Sequence, residues 1–243
     1  MDERAVDGYG MSKEFDSYAQ TYQAAIERST KIFGQKHAFF VRDKVERLLD
    51  AFIATGPLKS LKVLDVGCGI GLGHGEIAQA VGELHGVDVS RDSLALATRD
   101  NPSVNYKTYE GKRLPHENNA FDCAYAICVL HHLPKQQWPE FMREMARVVR
   151  PGGQLVVIEH NPLNPATQWV VRTCELDKNA MLLPPWRLHR LFIDAGLSAP
   201  QVRYTLFTPF AQKFFRALDR ALSRIPIGAQ YIVAGRKAER PDR

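Results

Sequence analysis

Two periodicities share this chain. Short apolar runs at residues 61–66, 83–89, 104–109, 121–129 and 153–160 have the length and the Val, Ile, Tyr and Phe content of buried strands. Between them, residues 93–99 and 138–150 place apolar side chains every three to four positions, with Phe141, Met145 and Val148/Val149 on one stripe, and this predicts amphipathic helices. Strands that alternate with helices are joined by right-handed crossovers, so the pattern predicts an α/β domain with a mostly parallel sheet and helices on both faces. Further on, residues 184–197 begin at a proline pair and reach Gly196, the signals of a helix with a glycine stop. Residues 201–210 and 229–237 read as two closing strands. Residues 210–225, between them, read as a helix with Phe210, Phe214, Leu218, Leu222 and Ile225 on one face and Lys213, Arg216, Arg220 and Arg224 away from it. Near the amino end, residues 18–33 have helical spacing with aromatics on one side.

The first predicted strand carries Asp65 and runs into five alternating glycines, Gly67, Gly69, Gly71, Gly73 and Gly75. In a sheet of this kind ligands bind at the carboxyl ends of the strands, and the first strand-to-helix turn must admit a ligand close to the backbone. Glycine allows both the tight turn and the approach. The spacing is not that of a dinucleotide fingerprint. Counting GxGxxG from Gly67, Gly69 or Gly71 puts Leu72, His74 or Glu76 at the sixth position, and only Gly73, Gly75 and Ala78 fit a looser form, inside the predicted helix. Asp65 in an apolar strand is costly unless it accepts hydrogen bonds, which the N–H groups of the glycine turn are placed to donate. Asp88 closes the second strand 21 residues beyond Gly67, near the ~20 expected of an acid that pairs with ribose hydroxyls.

Composition narrows the classes. With 243 residues, 45% of them hydrophobic, the chain can bury the core of a single domain. No apolar run approaches the ~18 residues of a membrane span and no basic leader opens the sequence, so a cytoplasmic location is expected. The four cysteines, Cys68, Cys123, Cys128 and Cys174, lack CxxC spacing and read as reduced, packed thiols. The net charge of +5 is a carboxyl-terminal property: from Arg187 onward there are 11 basic and 4 acidic residues, which leaves 21 against 23 before it. A contact with an anionic membrane surface or an acidic partner through the basic helix at 210–225 is one reading of this, and a helix packed on the core with a solvated cationic face is the other.

The stretch spelled Asp65-x-Gly67-x-Gly69-x-Gly71 resembles the first motif of the class I S-adenosylmethionine (SAM) dependent methyltransferases. Val87-Asp88-Val89-Ser90 is similar to the family's second motif, residues 114–133 to its strand-four region and residues 147–159 to its strand-five hairpin, and the four occur in the family's order. Residues 15–22, FDSYAQTY, are similar to the opening of ubiquinone- and menaquinone-biosynthesis methyltransferases. The resemblance implies a single-domain Rossmann-like methyltransferase fold with a seven-stranded sheet. It divides the chain into an amino-terminal helical lid at 1–55, a SAM-binding core at 56–200, and carboxyl-terminal strands with the basic helix at 201–243. It also implies SAM contacts from Asp65, Gly67, Cys68, Gly69, Gly71, Asp88, Val89, Glu110 and Gly111. Glu110 and Gly111 stand where the family usually has aspartate and alanine. Tyr22 of the lid would close over the methionine end.

The implied reaction is an in-line displacement at a sulfonium methyl, in which alignment and exclusion of water do most of the work and a base serves hydroxyl or acidic-carbon acceptors. His160, ending the fifth strand, is the candidate base or substrate contact. His131 and His132 follow the fourth strand at the same edge and read as supports of the cleft, with His131 the second candidate. Glu159 and His160 should face opposite ways. Pro162 and Pro165 should keep residues 160–169 out of an immediate helix, making that segment a wall of the acceptor pocket. No acidic cluster of metal-ligand spacing follows the fourth and fifth strands, so no divalent cation is expected. A nucleic-acid amine methyltransferase would carry an Asn/Asp-Pro-Pro-aromatic motif after strand four, where this chain reads CVLHHLP, and no nucleic acid is expected. The acceptor is a small molecule of natural-product, glycan or quinone-like kind. Methylation of a quinone ring carbon, and a non-catalytic SAM-binding subunit of the same fold, stay open as alternatives.

Overall fold

The computed structural model describes residues 37–239 apart from 175, 176, 178, 209 and 211. The lid expected at residues 18–33, with Tyr22, lies outside the described residues.

Seven strands form one sheet in the order β3-β2-β1-β4-β5-β7-β6. They are β1 (Lys62–Val66), β2 (Glu83–Asp88), β3 (Asn105–Thr108), β4 (Phe121–Ile127), β5 (Val149–His160), β6 (Leu197–Thr205) and β7 (Gln230–Lys237). The first five run parallel, and β7 enters antiparallel between β5 and β6. The strand order reverses at β1 and β4, so the turns after these strands face one crevice at the carboxyl edge.

Each strand splits its side chains between two cores. Leu64 and Val66, with Ala124, Ala126, Leu155 and Val157, meet α4 (Trp138–Val148) and α6 (Pro185–Asp194) through Met142, Met145, Leu188 and Phe192. Val63, Cys123, Tyr125, Val156 and Ile158 meet α1 (His37–Phe52) and α2 (His74–Ala80) through Val45, Leu48, Phe52 and Ile77. Thus α1, in the segment expected as a lid, buries one of its faces against the sheet. Asp65 shares the orientation of Val63, which directs it toward α2. Ser90 caps α3 (Arg91–Asp100) by accepting the Ser93 N–H at 3.1 Å. Gly196, at φ +83°, ends the α6 region as its sequence predicts.

Three expectations are corrected. The sixth strand begins at Leu197, paired with Lys237, and ends at Thr205 because Leu206 takes a left-handed φ of 59°. Pro165 starts a helix: α5 (Pro165–Thr173) has it at the first position, where the missing N–H costs nothing, and Asn164 caps the Thr167 N–H at 3.0 Å. The basic helix is only α7 (Lys213–Ala221), and two of its arginines pair with acids of α1. Arg216 pairs with Asp43 at 3.3 Å and with Glu46, and Arg220 with Asp50 at 3.3 Å, all three acids on α1. Phe214, expected on the packed face, is 73% exposed. The helix therefore sits with its arginines toward the acids of α1.

Candidate active site

The turn after β1 is backbone held open. Gly67, Gly69, Gly71 and Gly73 have φ of 78, 52, 71 and 83°, a region that L side chains rarely enter. A Cβ at Gly69 would meet nothing within 4 Å, so the chain passes there beside free space. At Gly71 a Cβ would come within 2.8 Å of Tyr106 Oη, so here glycine also makes room for a neighbour.

The turn's own N–H groups are spent in a definite way. Gly67 and Cys68 donate to the Val87 carbonyl at 2.8 and 3.1 Å, Gly71 to the Cys68 carbonyl at 3.0 Å, and Gly69 to Asp88 Oδ2 at 2.7 Å. Asp88 Oδ1 takes the Ser90 N–H at 2.9 Å. One carboxylate thereby ties the tip of β2 to the glycine turn. Burial pushes the Asp88 carboxyl above the usual aspartate range, against the pull of those N–H donors. Val89 beside it is half-buried, and Cys68 is buried with its thiol pushed up by that burial.

Asp65 departs from expectation: no N–H of the turn reaches it. Its Oδ2 lies 2.8 Å from His74 Nε2, and His74 Nδ1 lies 2.7 Å from Tyr106 Oη. A carboxylate only accepts, so Nε2 is the donor and the tyrosine hydroxyl is left to donate to Nδ1. Asn101 completes the arrangement, donating to the Gly71 carbonyl at 3.2 Å. His74 is fully buried and stacked on Tyr106 at 5.6 Å between ring centres. The other Asp65 oxygen, Oδ1, is buried without a hydrogen-bond partner, as is Tyr125 Oη. The Tyr125 hydroxyl bears on the same Asp65 side chain, so these two buried atoms neighbour one another. Sequence reasoning missed His74, Tyr106 and Asn101. The cue available was a histidine that opens the helix nine residues beyond the aspartate.

Glu110 is exposed and Gly111, at φ 79°, is half-buried, so these two stand apart from the tied cluster of Asp65, Asp88 and the turn. Tyr109 is the neighbour that meets Asp88, its N–H donating to the Asp88 carbonyl at 3.2 Å.

A second cluster forms where β4 and β5 end. Cys128 leaves β4 with φ 56°, and a short 3-10 turn, Leu130–His132, follows. Glu159, fully buried, holds that turn: Oε1 accepts the Leu130 N–H at 2.8 Å and Oε2 lies 2.6 Å from His131 Nδ1. His131 Nε2 faces Asp177 Oδ1 at 3.4 Å. The His160 ring centre is 5.1 Å from that of His131, and His132 is nearer still at 4.1 Å. Strand alternation does separate Glu159 from His160, but His131 reaches both, which the strand rule alone did not show.

Burial would lower the His131 pKa, yet the Glu159 charge and the bonds to Asp177 and Glu159 outweigh it and raise it. His131 is therefore an imidazolium between two carboxylates, both held below their usual range despite burial. Burial first, and then that positive charge, push His160 down to about 4 and His132 to about 3. His160 is neutral at physiological pH with a lone pair to offer. Cys128 keeps its thiol proton, chiefly through burial. From α1, Lys44 Nζ approaches Cys128 Sγ at 4.0 Å, a neighbour that sequence reasoning did not find.

One donor atom each from His131, His160 and Asp177 lie within 4.8 Å of one another, close enough to hold a cation. The group mixes two histidines with one aspartate, and so differs from the acidic cluster that the sequence was read as lacking. Asp177 escaped notice because it lies 17 residues beyond His160 and is brought back by the fold.

A parallel sheet that reverses order at a glycine turn, with acids at the ends of its first two strands, defines a nucleoside-binding crevice of the α/β type. Residues 63–153 match the family model described as a methyltransferase domain. The chain is 38% identical over 106 residues to methyltransferase GfsG of Streptomyces halstedii, covering 40% of this chain and 37% of that one. It is 26% identical to a ubiquinone biosynthesis O-methyltransferase of Rhizobium johnstonii, covering 74% of this chain and 77% of the relative. Several other curated relatives are matched over only 43% or 44% of their length. In three dimensions the chain is similar to a SAM-dependent methyltransferase of Thermotoga maritima described as a possible histamine N-methyltransferase, with a TM-score of 0.66 and 19% identity over 93% of this chain and 99% of that one. Residues 63–153 thus match a methyltransferase domain, and the chain has the fold of SAM-dependent methyltransferases.

Proposed function

We propose that the chain binds SAM in the glycine turn and transfers its methyl group to a small-molecule acceptor held at the ends of β4 and β5, with an oxygen or an acidic carbon favoured as the accepting atom. The observation that carries this reading is the turn itself: positive-φ glycines beside free space, pinned by Asp88. These residues fit the group. The free lone pairs of Asp88 suit ribose hydroxyls, and the bare backbone at Gly69 admits close approach. Bound there, SAM supplies an electrophilic methyl on a good leaving group.

The chain's residues then have the tasks of alignment and proton removal. His160, neutral, accepts the acceptor's proton at a ring nitrogen. The Glu159–His131 pair positions the turn after β4, and the imidazolium favours negative charge developing on an acceptor oxygen or carbon nearby. Glu110, Gly111 and a lid that carries Tyr22 would complete the cofactor pocket. The similarity to a ubiquinone biosynthesis O-methyltransferase supports an acceptor of quinone-like kind.

Incubation of the full chain with methyl-labelled SAM and a panel of phenols, quinols and small-molecule extracts tests the reading. Label should pass to an acceptor, with kcat falling at least about a hundredfold in His160→Ala. Label that stays in SAM with every acceptor, while SAM still binds, would leave the non-catalytic subunit of the same fold.

A further inference from the structure

On the α1 face of the sheet a cavity of about 500 Å3 opens between α1, α7 and the β5-β7-β6 strands. No residue of the glycine turn or of the histidine cluster lines it. It exists because small side chains face one another across it, Ala51 from α1 and Ala234 from β7 among them. Its size and its partly apolar floor are those of a small-molecule site.

Its walls are cationic. Arg47, Arg203, Arg220 and Arg236 line it, against Asp50 as the one carboxylate among the lining residues. Asp50 is taken by Arg220 at 3.3 Å. Arg203 donates to the Gln201 side-chain oxygen at 3.1 Å and Arg236 to the Ala54 carbonyl, so among the described residues their charges meet no acid. Arg47 Nε stands 3.5 Å from Asp43 Oδ1, near enough to feel the charge, yet it is a buried N–H with no hydrogen-bond acceptor. Guanidinium groups gathered around a concavity repel one another until an anion sits among them, and their forked N–H groups match phosphate oxygens.

We infer that this cavity is a second ligand site, separate from the cofactor and acceptor crevice, and that it takes a phosphate or a phosphate monoester with a small apolar body. Calorimetric titration of the full chain with phenyl phosphate, inorganic phosphate and phenol tests it. Phenyl phosphate should bind saturably at one site, at least about tenfold tighter than phenol, and more weakly as salt rises. A clear preference for phenyl phosphate over inorganic phosphate would identify an organic phosphate as the natural ligand, and equal affinities would identify free phosphate; both support the anion site. The Arg203→Gln/Arg236→Gln double variant strands no carboxylate, because neither arginine pairs with one, and it should lose binding at least about tenfold while unfolding at the same temperature without ligand. If that variant does not fold, Arg203→Gln alone is read instead. Absence of saturable binding to the native chain, or undiminished binding in a folded variant, overturns the inference.

Discussion

Replacing His74 by alanine probes the link between a buried network and the turn it supports. The change removes the donor to Asp65 Oδ2 at 2.8 Å and the partner of the Tyr106 hydroxyl at 2.7 Å. Asp65 is 6% exposed, so water cannot freely replace the lost donor. A hydrogen bond to a charged group contributes about 1.5–3 kcal/mol and a neutral one about 1, so the loss should be roughly 3–4 kcal/mol, before any cavity term. For a chain of this length that lowers the melting temperature by roughly 6–15 °C. The affinity for SAM should fall at least about tenfold, because Asp65 loses the partner that orients it. His74→Gln, which can return an N–H toward Asp65, should recover most of the affinity. Thermal unfolding followed by circular dichroism, together with SAM titration, reads both. An alanine variant that melts within about a degree of the native chain and binds SAM unchanged would refute the reasoning.

Gly69→Ala faces no neighbour within 4 Å, so its cost to folding should be only the ~1–2 kcal/mol of a left-handed alanine, while SAM binding measured by calorimetry falls steeply because the methyl fills the space beside the turn. Acid should weaken the fold early. His132 and His160 stay neutral in the folded chain down to about 3 and about 4, whereas an unfolded chain takes up those protons near pH 6.5. Between these limits the unfolded state binds more protons, so stability falls as pH drops, by on the order of 1 kcal/mol per unit for each, and urea midpoints between pH 7 and 4 measure it. His131 has the opposite sign: its raised pKa adds stability that is present below about 6.5 and lost as pH climbs through the folded value, so a decline should also appear on the alkaline side. If His160 acts as a base, EDTA should leave methyl transfer unchanged; a rate abolished by EDTA and restored by a divalent cation would assign His131, His160 and Asp177 to a metal instead.

Much of the sheet was legible because the strand pattern is short-range. The runs around Lys62–Val66 and Gly153 to His160 are continuous apolar stretches bounded by glycine or charge, and side-chain burial on both faces needs that composition. The glycine turn was legible because positive φ leaves few choices of residue. What sequence did not disclose depends on pairs brought together from far apart. Asp65 meets His74 rather than the turn's N–H groups because those are consumed by Val87 and Asp88, an accounting visible only once β1 and β2 are in register. Helix α7 misled for a related reason: its apolar periodicity pointed Phe214 inward, whereas Phe214 is exposed and two of the helix's arginines meet acids spaced along α1. His131 read as a support of the cleft, and its place at the centre of its cluster was hidden because Glu159 and Asp177 approach it from two other segments.

The most direct test of the central claim watches the turn itself. Isotope-labelled protein titrated with SAM should show saturable shifts in the backbone amide signals of Gly67, Cys68, Gly69 and Gly71, with the Gly69 N–H, which bonds Asp88 at 2.7 Å, among the largest. Amide signals that stay in place at SAM concentrations far above the micromolar range, or shifts confined to other parts of the chain, would contradict it.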